Sequence, residues 1–163
     1  MKTLSRSLLA LSLFVAQSGH AAAVGDPAPD CNLTGFADAK PVSLKQPGKV
    51  LYVDFWASWC GPCIESMPFM DKMNDQLKAK GFELIAVNVD EERADADEFL
   101  AKRPVRFTVA ANPDGNCPSS FGVMAMPSSY LIDKKGIIRH VQLGFRKGEA
   151  ADIRKKVEAL LAE

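Results

Sequence analysis

Val50-Leu51-Tyr52-Val53-Asp54-Phe55-Trp56-Ala57-Ser58-Trp59-Cys60-Gly61-Pro62-Cys63 is the stretch on which the fold turns. Its first half, Val50 to Trp56, is a continuous apolar run broken by one acid. Such a run marks a strand buried on both faces, as in a parallel sheet covered by helices. From Cys60 to Lys80 the pattern becomes helical, with a kink expected at Pro68 and Gly81 as its stop. A buried strand thus delivers two cysteines, spaced C-x-x-C, to the start of a helix.

Toward the C-terminus, Phe82 to Val89 reads as a second buried strand and Ala94 to Lys102 as a charged amphipathic helix. Arg106 to Ala110 is a further strand, Asn112 to Gly115 a turn, and Pro118 to Phe121 a short helix. Ser129 to Ile132 and Ile137 to Leu143 flank Lys134-Lys135-Gly136, a hairpin signal. Glu149 to Leu161 closes the chain as a helix. Toward the N-terminus, Asn32 to Phe36 and Pro41 to Leu44 form a strand pair, preceded by an extended proline-rich segment, Val24 to Asp30. Strands alternating with helices predict an α/β fold: a central mixed β-sheet flanked by helices. It is one domain, residues 24–163.

Residues 1–23 have a different grammar. Lys2 and Arg6 give a positive start, Leu8 to Ala16 is nearly all apolar, and Ala21-Ala22-Ala23 ends the segment in small residues. That is the pattern of a cleavable secretory signal, removed after Ala23. Export into an oxidising compartment permits disulfides among Cys31, Cys60, Cys63 and Cys117. The 163 residues are 47% hydrophobic and 25% charged, an ordinary globular composition. Twenty basic and 20 acidic side chains balance, which leaves no footprint for nucleic acid.

Two chemistries share a bare C-x-x-C. A structural zinc site needs two more ligands, but the histidines are His20, in the signal segment, and the isolated His140, and Cys31 and Cys117 make no second pair. The other chemistry is a redox dithiol. At a helix start, unpaired N–H groups and the dipole favour a thiolate. Cys60, at the very end, is then the exposed nucleophile. Cys63, one turn in, resolves the mixed disulfide that Cys60 makes with a substrate. Gly61-Pro62 hold the pair in a tight turn.

The segment Val53 to Cys63 resembles the active-site stretch of thioredoxins. Phe121 to Asp133 resembles that family's second landmark, where a cis-proline before a strand faces the active-site disulfide. The resemblance implies that Pro127 is that cis-proline and that Met126 lends its backbone to a bound substrate strand. The signal segment, the Gly25-Asp26-Pro27-Ala28-Pro29 lead-in, the N-terminal strand pair and the extra inserted helix are similar to the exported TlpA/ResA-type branch. That likeness spans residues 24–163. It implies a periplasmic, monomeric thiol–disulfide oxidoreductase acting on protein disulfides and re-reduced by a membrane dithiol donor. Cytochrome c maturation and copper-site assembly are the candidate pathways. No cofactor, bound metal or nucleic acid is implied.

Two positions depart from the pattern. Many members of the branch carry Glu three residues after the second active-site cysteine, where this chain has Ser66 beside Glu65. Thioredoxin also places Lys near its buried acid, at a position matched by Ala86. Asp54, an acid inside an apolar strand, is expected to have a raised pKa and to serve as base for Cys63; a structural, hydrogen-bonded acid is the alternative.

The remaining readings are less tied to the motif. Cys31 and Cys117 pair as a structural disulfide, since pairing with Cys60 or Cys63 would disable the dithiol; two free buried thiols are the alternative. Trp56 and Trp59 form an apolar shoulder beside the dithiol, Trp59 contacting substrate. Met67, Met70, Met73, Met124 and Met126 invite a Cu(I) reading, against which stands simple core filling. The charges from Asp90 to Glu98 read as a solvated helix face. A dithiol oxidant or isomerase, or a redox-inert copper-handling chaperone, are the alternatives to a reductase.

Overall fold

Strand β3 (Val50–Trp56) lies at the centre of the sheet and every one of its residues is buried. The computed structural model describes residues 21–163. The signal segment read over residues 1–23 lies, as far as residue 20, outside the described residues. The other elements are β1 (Leu33–Gly35), β2 (Pro41–Val42), α1 (Gly61–Leu77), β4 (Phe82–Asn88), α2 (Arg93–Lys102) and β5 (Thr108–Ala111). They are followed by α3 (Cys117–Phe121), β6 (Ser128–Ile132), β7 (Ile138–Leu143) and α4 (Ala150–Ala162).

The strands form one mixed sheet in the order β2-β1-β5-β4-β3-β6-β7. β3, β4 and β5 run parallel, and β6, β7, β1 and β2 pair antiparallel around them. The expected N-terminal strand pair therefore extends the main sheet through β5. Parallel neighbours need crossovers, which α1 and α2 supply. Successive side chains of β3 point to opposite faces. Tyr52 and Trp56 join a core with Met67, Met70 and Met73 of α1, Ala96 of α2 and Val157 of α4. Val53 and Phe55 join the opposite core with Cys117 and Phe121 of α3.

Two local departures from expectation have physical causes. β5 begins at Thr108, because Arg106 is held by α1: its N–H donates to Asp71 Oδ1 at 2.7 Å and its Nε to Asp71 Oδ2 at 2.9 Å. α1 gives way at its end to a tight turn over Lys78–Lys80, closed by Gly81 at φ 91°, a conformation that favours glycine. The helix continues through Pro68, which sits on its exposed side.

Candidate active site

β3 ends at Trp56, and Ala57-Ser58-Trp59 carries the chain to α1. Cys60 is the N-cap of α1, with extended backbone at φ −84° and ψ 100°. Its Sγ accepts the Cys63 N–H at 3.3 Å, and Pro62 falls in the first turn, where its missing N–H leaves nothing unpaired. Cys60 and Cys63 are joined as a disulfide with their Cα atoms 5.3 Å apart. Cys60 is 5% exposed and Cys63 0%. The exposed nucleophile expected at position 60 is therefore mostly covered in the oxidised protein. Its sulfur is tied to Cys63, and the residue packs into the same core as Trp56 and Met67.

The loop before Cys60 is clasped from β4. Ser58 N–H donates to both carboxylate oxygens of Asp90, at 3.1 and 3.0 Å, and its hydroxyl donates to Oδ1 at 3.0 Å. Asn88 Nδ2 donates to Asp90 Oδ2 at 2.7 Å. Asp90 thus holds the loop that leads into Cys60 and is no part of a solvated helix face. Register explains this: Trp56 pairs with Asn88 across β3 and β4, so Ser58 and Asp90 emerge level, two residues beyond.

Asp54 is 1% exposed. It faces the same side of the sheet as Tyr52 and Trp56, which share their core with Cys60 and Cys63. Burial pushes its carboxyl up to about 7, and a hydrogen bond from Ser129 works the other way. Ser129 Oγ donates to Asp54 Oδ1 at 2.6 Å. Asp54 Oδ2 is buried with no hydrogen-bond partner among the described residues. Ala86 is its neighbour on β4, so a methyl stands at the position matched to thioredoxin's Lys. The phenol of Tyr52 is raised above its usual range by burial first and the Asp54 charge second. Ser66 is buried and its hydroxyl donates to Cys63 O at 2.8 Å, while Glu65 is exposed.

The loop between α3 and β6 carries Met126, which packs against the core that holds Cys60 and Cys63. Gly122, at φ 73°, closes α3, and the Met126–Pro127 peptide bond is cis. Tyr130 Oη donates to Phe121 O at 2.8 Å, and the rings of Phe55, Phe121 and Tyr130 pack edge-on or tilted against one another. Ser128 Oγ donates to Ala125 O at 2.7 Å, and Gly144 N–H to Pro127 O at 2.8 Å. Cys31 and Cys117 are joined as a disulfide with Cα atoms 5.4 Å apart, tying the start of α3 to the segment that leads into β1.

The two tryptophans part company. Trp56 is fully buried against Phe99, with ring centroids 5.4 Å apart, and is no surface shoulder. Trp59 is 70% exposed, next to Cys60. Met67, Met70 and Met73 are core residues, while Met124 is 95% exposed. The five thioethers are thus divided between the interior and the surface, with Met126 half-buried against the core.

The profile of the Redoxin family matches residues 23–161. The chain belongs to the Redoxin family. This redoxin is 32% identical over 136 residues to the thiol-disulfide oxidoreductase ResA of Bacillus thuringiensis subsp. konkukian, covering 82% of this chain and 78% of that protein. With ResA of Geobacillus thermodenitrificans the identity is 29% over 140 residues, covering 86% and 79%. Among solved structures, it superposes on a Chlorobium tepidum protein assigned as the thiol:disulfide interchange protein DsbE, with TM-score 0.82 and 44% identity. That match covers 86% of this chain and 99% of the other. The fold is thioredoxin-like, and the redoxin is a thiol–disulfide oxidoreductase.

Ser129 and Asp90 were not singled out in the sequence. Each left a trace there. Ser128-Ser129 is a polar pair at the head of an otherwise apolar strand, and Asn88-x-Asp90 begins on the last residue of β4. What the sequence lacked was the register that sets them against Asp54 and Ser58.

Proposed function

We propose that this redoxin reduces protein disulfides outside the cytoplasm through the Cys60–Cys63 pair. The observation that carries the reading is a disulfide at the N-cap of α1, flanked by the exposed indole of Trp59. In the reduced protein, N–H groups of the first turn stabilise the Cys60 thiolate. That thiolate attacks one sulfur of a substrate disulfide, forming a mixed disulfide and releasing the other substrate sulfur as a thiolate. Cys63 then gives its proton to Asp54, and its sulfur bonds to Cys60. The Cys60–substrate bond breaks and the second substrate sulfur departs. Two protein thiols have become a disulfide and one substrate disulfide has become two thiols. A membrane dithiol donor restores the reduced state.

Trp59, Met126 and Pro127 are the proposed contacts for an extended substrate segment, and Cys31–Cys117 is the proposed structural staple. Export rests on the signal pattern of residues 1–23, and the secreted product should begin at Val24 by mass. Cytochrome c maturation or copper-site assembly are the pathways proposed from the ResA and DsbE likeness.

Equilibration against glutathione tests the direction of electron flow. Gly61-Pro62 adds no donor or positive charge to hold the Cys60 thiolate beyond the helix end. An ionised Asp54 would disfavour a second anion nearby. The potential should therefore lie at roughly −200 to −300 mV, on the thioredoxin side of the scale. A value near −120 mV, the DsbA end, would make the protein an oxidant. Absence of insulin reduction would favour a redox-inert chaperone.

A further inference from the structure

Asp54 and Ser129 are directly opposed across the antiparallel β3–β6 pair. Both are buried, at 1% and 3% exposure. The hydroxyl donates to Oδ1 at 2.6 Å, and the other carboxylate oxygen has no partner among the described residues. The remaining surroundings offer little competition for the carboxyl. β4 supplies Ala86. β3 supplies Tyr52, whose phenol is held up by burial first and by the Asp54 charge second, with Ser129 working the other way. α1 brings Cys60 and Cys63, and α4 contributes apolar Ile153, Val157 and Leu160 to this core. On β7, Gln142 is paired with Ser129 and its Nε2 donates to Glu149 Oε2 at 3.3 Å. Further along β7, His140 is engaged with Lys156 Nζ at 3.0 Å.

We propose that Ser129 is a positioning residue for thiol–disulfide exchange: its hydroxyl fixes Asp54 through Oδ1 and leaves Oδ2 as the oxygen that receives the Cys63 proton. The inference rests on Asp54 acting as the base. A serine suits the task because its donated hydrogen bond persists in both protonation states of the acid. It donates to Oδ1 when the carboxylate is charged, and to the carbonyl oxygen when the proton sits on Oδ2. The step balances within the site. Cys63 Sγ–H loses its proton to Oδ2, the Cys63–Cys60 bond forms, the Cys60–substrate bond breaks, and the electron pair leaves on the substrate sulfur. Hydrogen bonding to the charged form also brings the acid back toward neutral pH against the effect of burial. A neutral hydroxyl thereby holds the acid in place and adds no buried charge.

The test is the pH dependence of mixed-disulfide resolution in Ser129→Val and Ser129→Thr, two variants of the same shape that differ in the hydroxyl. A chromogenic aryl disulfide is the substrate, read in single turnovers from pH 5.5 to 9. Ser129→Val should move the acid limb up by about one pH unit, making resolution about tenfold slower at pH 6 and equal to the parent by pH 9. Ser129→Thr should keep the parent profile. Ser129→Ala serves as the second hydroxyl-free variant if valine prevents folding. In an Asp54→Asn background, removing the Ser129 hydroxyl should shift nothing further. An unmoved limb in the hydroxyl-free variant, with Asp54→Asn slowed, overturns the positioning role and leaves Asp54 as base. A uniform loss at every pH also overturns it. An Asp54→Asn protein as fast as the parent at pH 6 overturns both readings.

Discussion

Asp54 is paired with Ala86 across the parallel β3–β4 pair, so β4 sets a methyl beside its buried carboxyl where thioredoxin has a lysine. Burial raises it from 3.8 to about 7. Below pH 3.8 the group is protonated in folded and unfolded chains alike and adds no pH dependence. As pH rises from about 4 to 7, the unfolded chain releases its proton first, so stability falls, and above 7 the penalty is constant. Asp54→Asn should therefore be more stable than the parent at pH 8, by up to about 4 kcal/mol, and should lose that advantage toward pH 4. Urea unfolding at pH 4, 6 and 8 checks this. A difference that stays constant with pH would mean that the carboxyl does not titrate in this range.

The same variant should slow insulin reduction, most clearly at pH 6 to 7, where hydroxide is scarce. General-base loss corresponds to roughly a hundredfold or more when proton transfer limits the rate. The steady-state rate across pH 6 to 8 is the measurement, and identical rates would leave Asp54 a structural residue.

Cys60 retains 5% exposure and Cys63 none. Mild alkylation of the reduced protein should label Cys60 first, and Cys63→Ser should accumulate mixed disulfides through Cys60. Peptide mapping reads both. Preferential labelling of Cys63 would reverse the roles.

The Cys31–Cys117 bridge spans a sequence separation of 86 residues. In the chain-entropy account, closing such a loop contributes about 4–5 kcal/mol, with smaller measured gains common. The double variant Cys31→Ala/Cys117→Ala should lose about 2–4 kcal/mol in urea unfolding and keep reductase activity within a few-fold. A collapse of activity in a still-folded variant would give this disulfide a part in the reaction.

Trp59 is 70% exposed, so its removal should spare the fold. Trp59→Ala should raise KM for a protein disulfide substrate by roughly tenfold, with kcat and Tm little changed. A fall in kcat at constant KM would place the indole in the chemistry and not in docking.

The sequence of Val50 to Cys63 was enough to read a buried strand feeding a helix start, the dithiol at its tip, and a lone acid six residues earlier. Local pattern carries that information because hydrophobic run length, C-x-x-C spacing and helix-end electrostatics are all properties of contiguous residues. The same holds for Met67, Met70 and Met73, whose helical spacing was legible as core filling. Their burial is what an inward helix face requires. Tertiary structure decided everything that depends on register between strands distant in sequence. It set Ser129 on Asp54 from 75 residues away, and Asp90 on Ser58 from 32. It also buried Trp56 while leaving Trp59 in solvent. A strand's side chains alternate faces, so one residue of slip would exchange every one of these partners. No local pattern in this chain records which slip was chosen, and the packed sheet does.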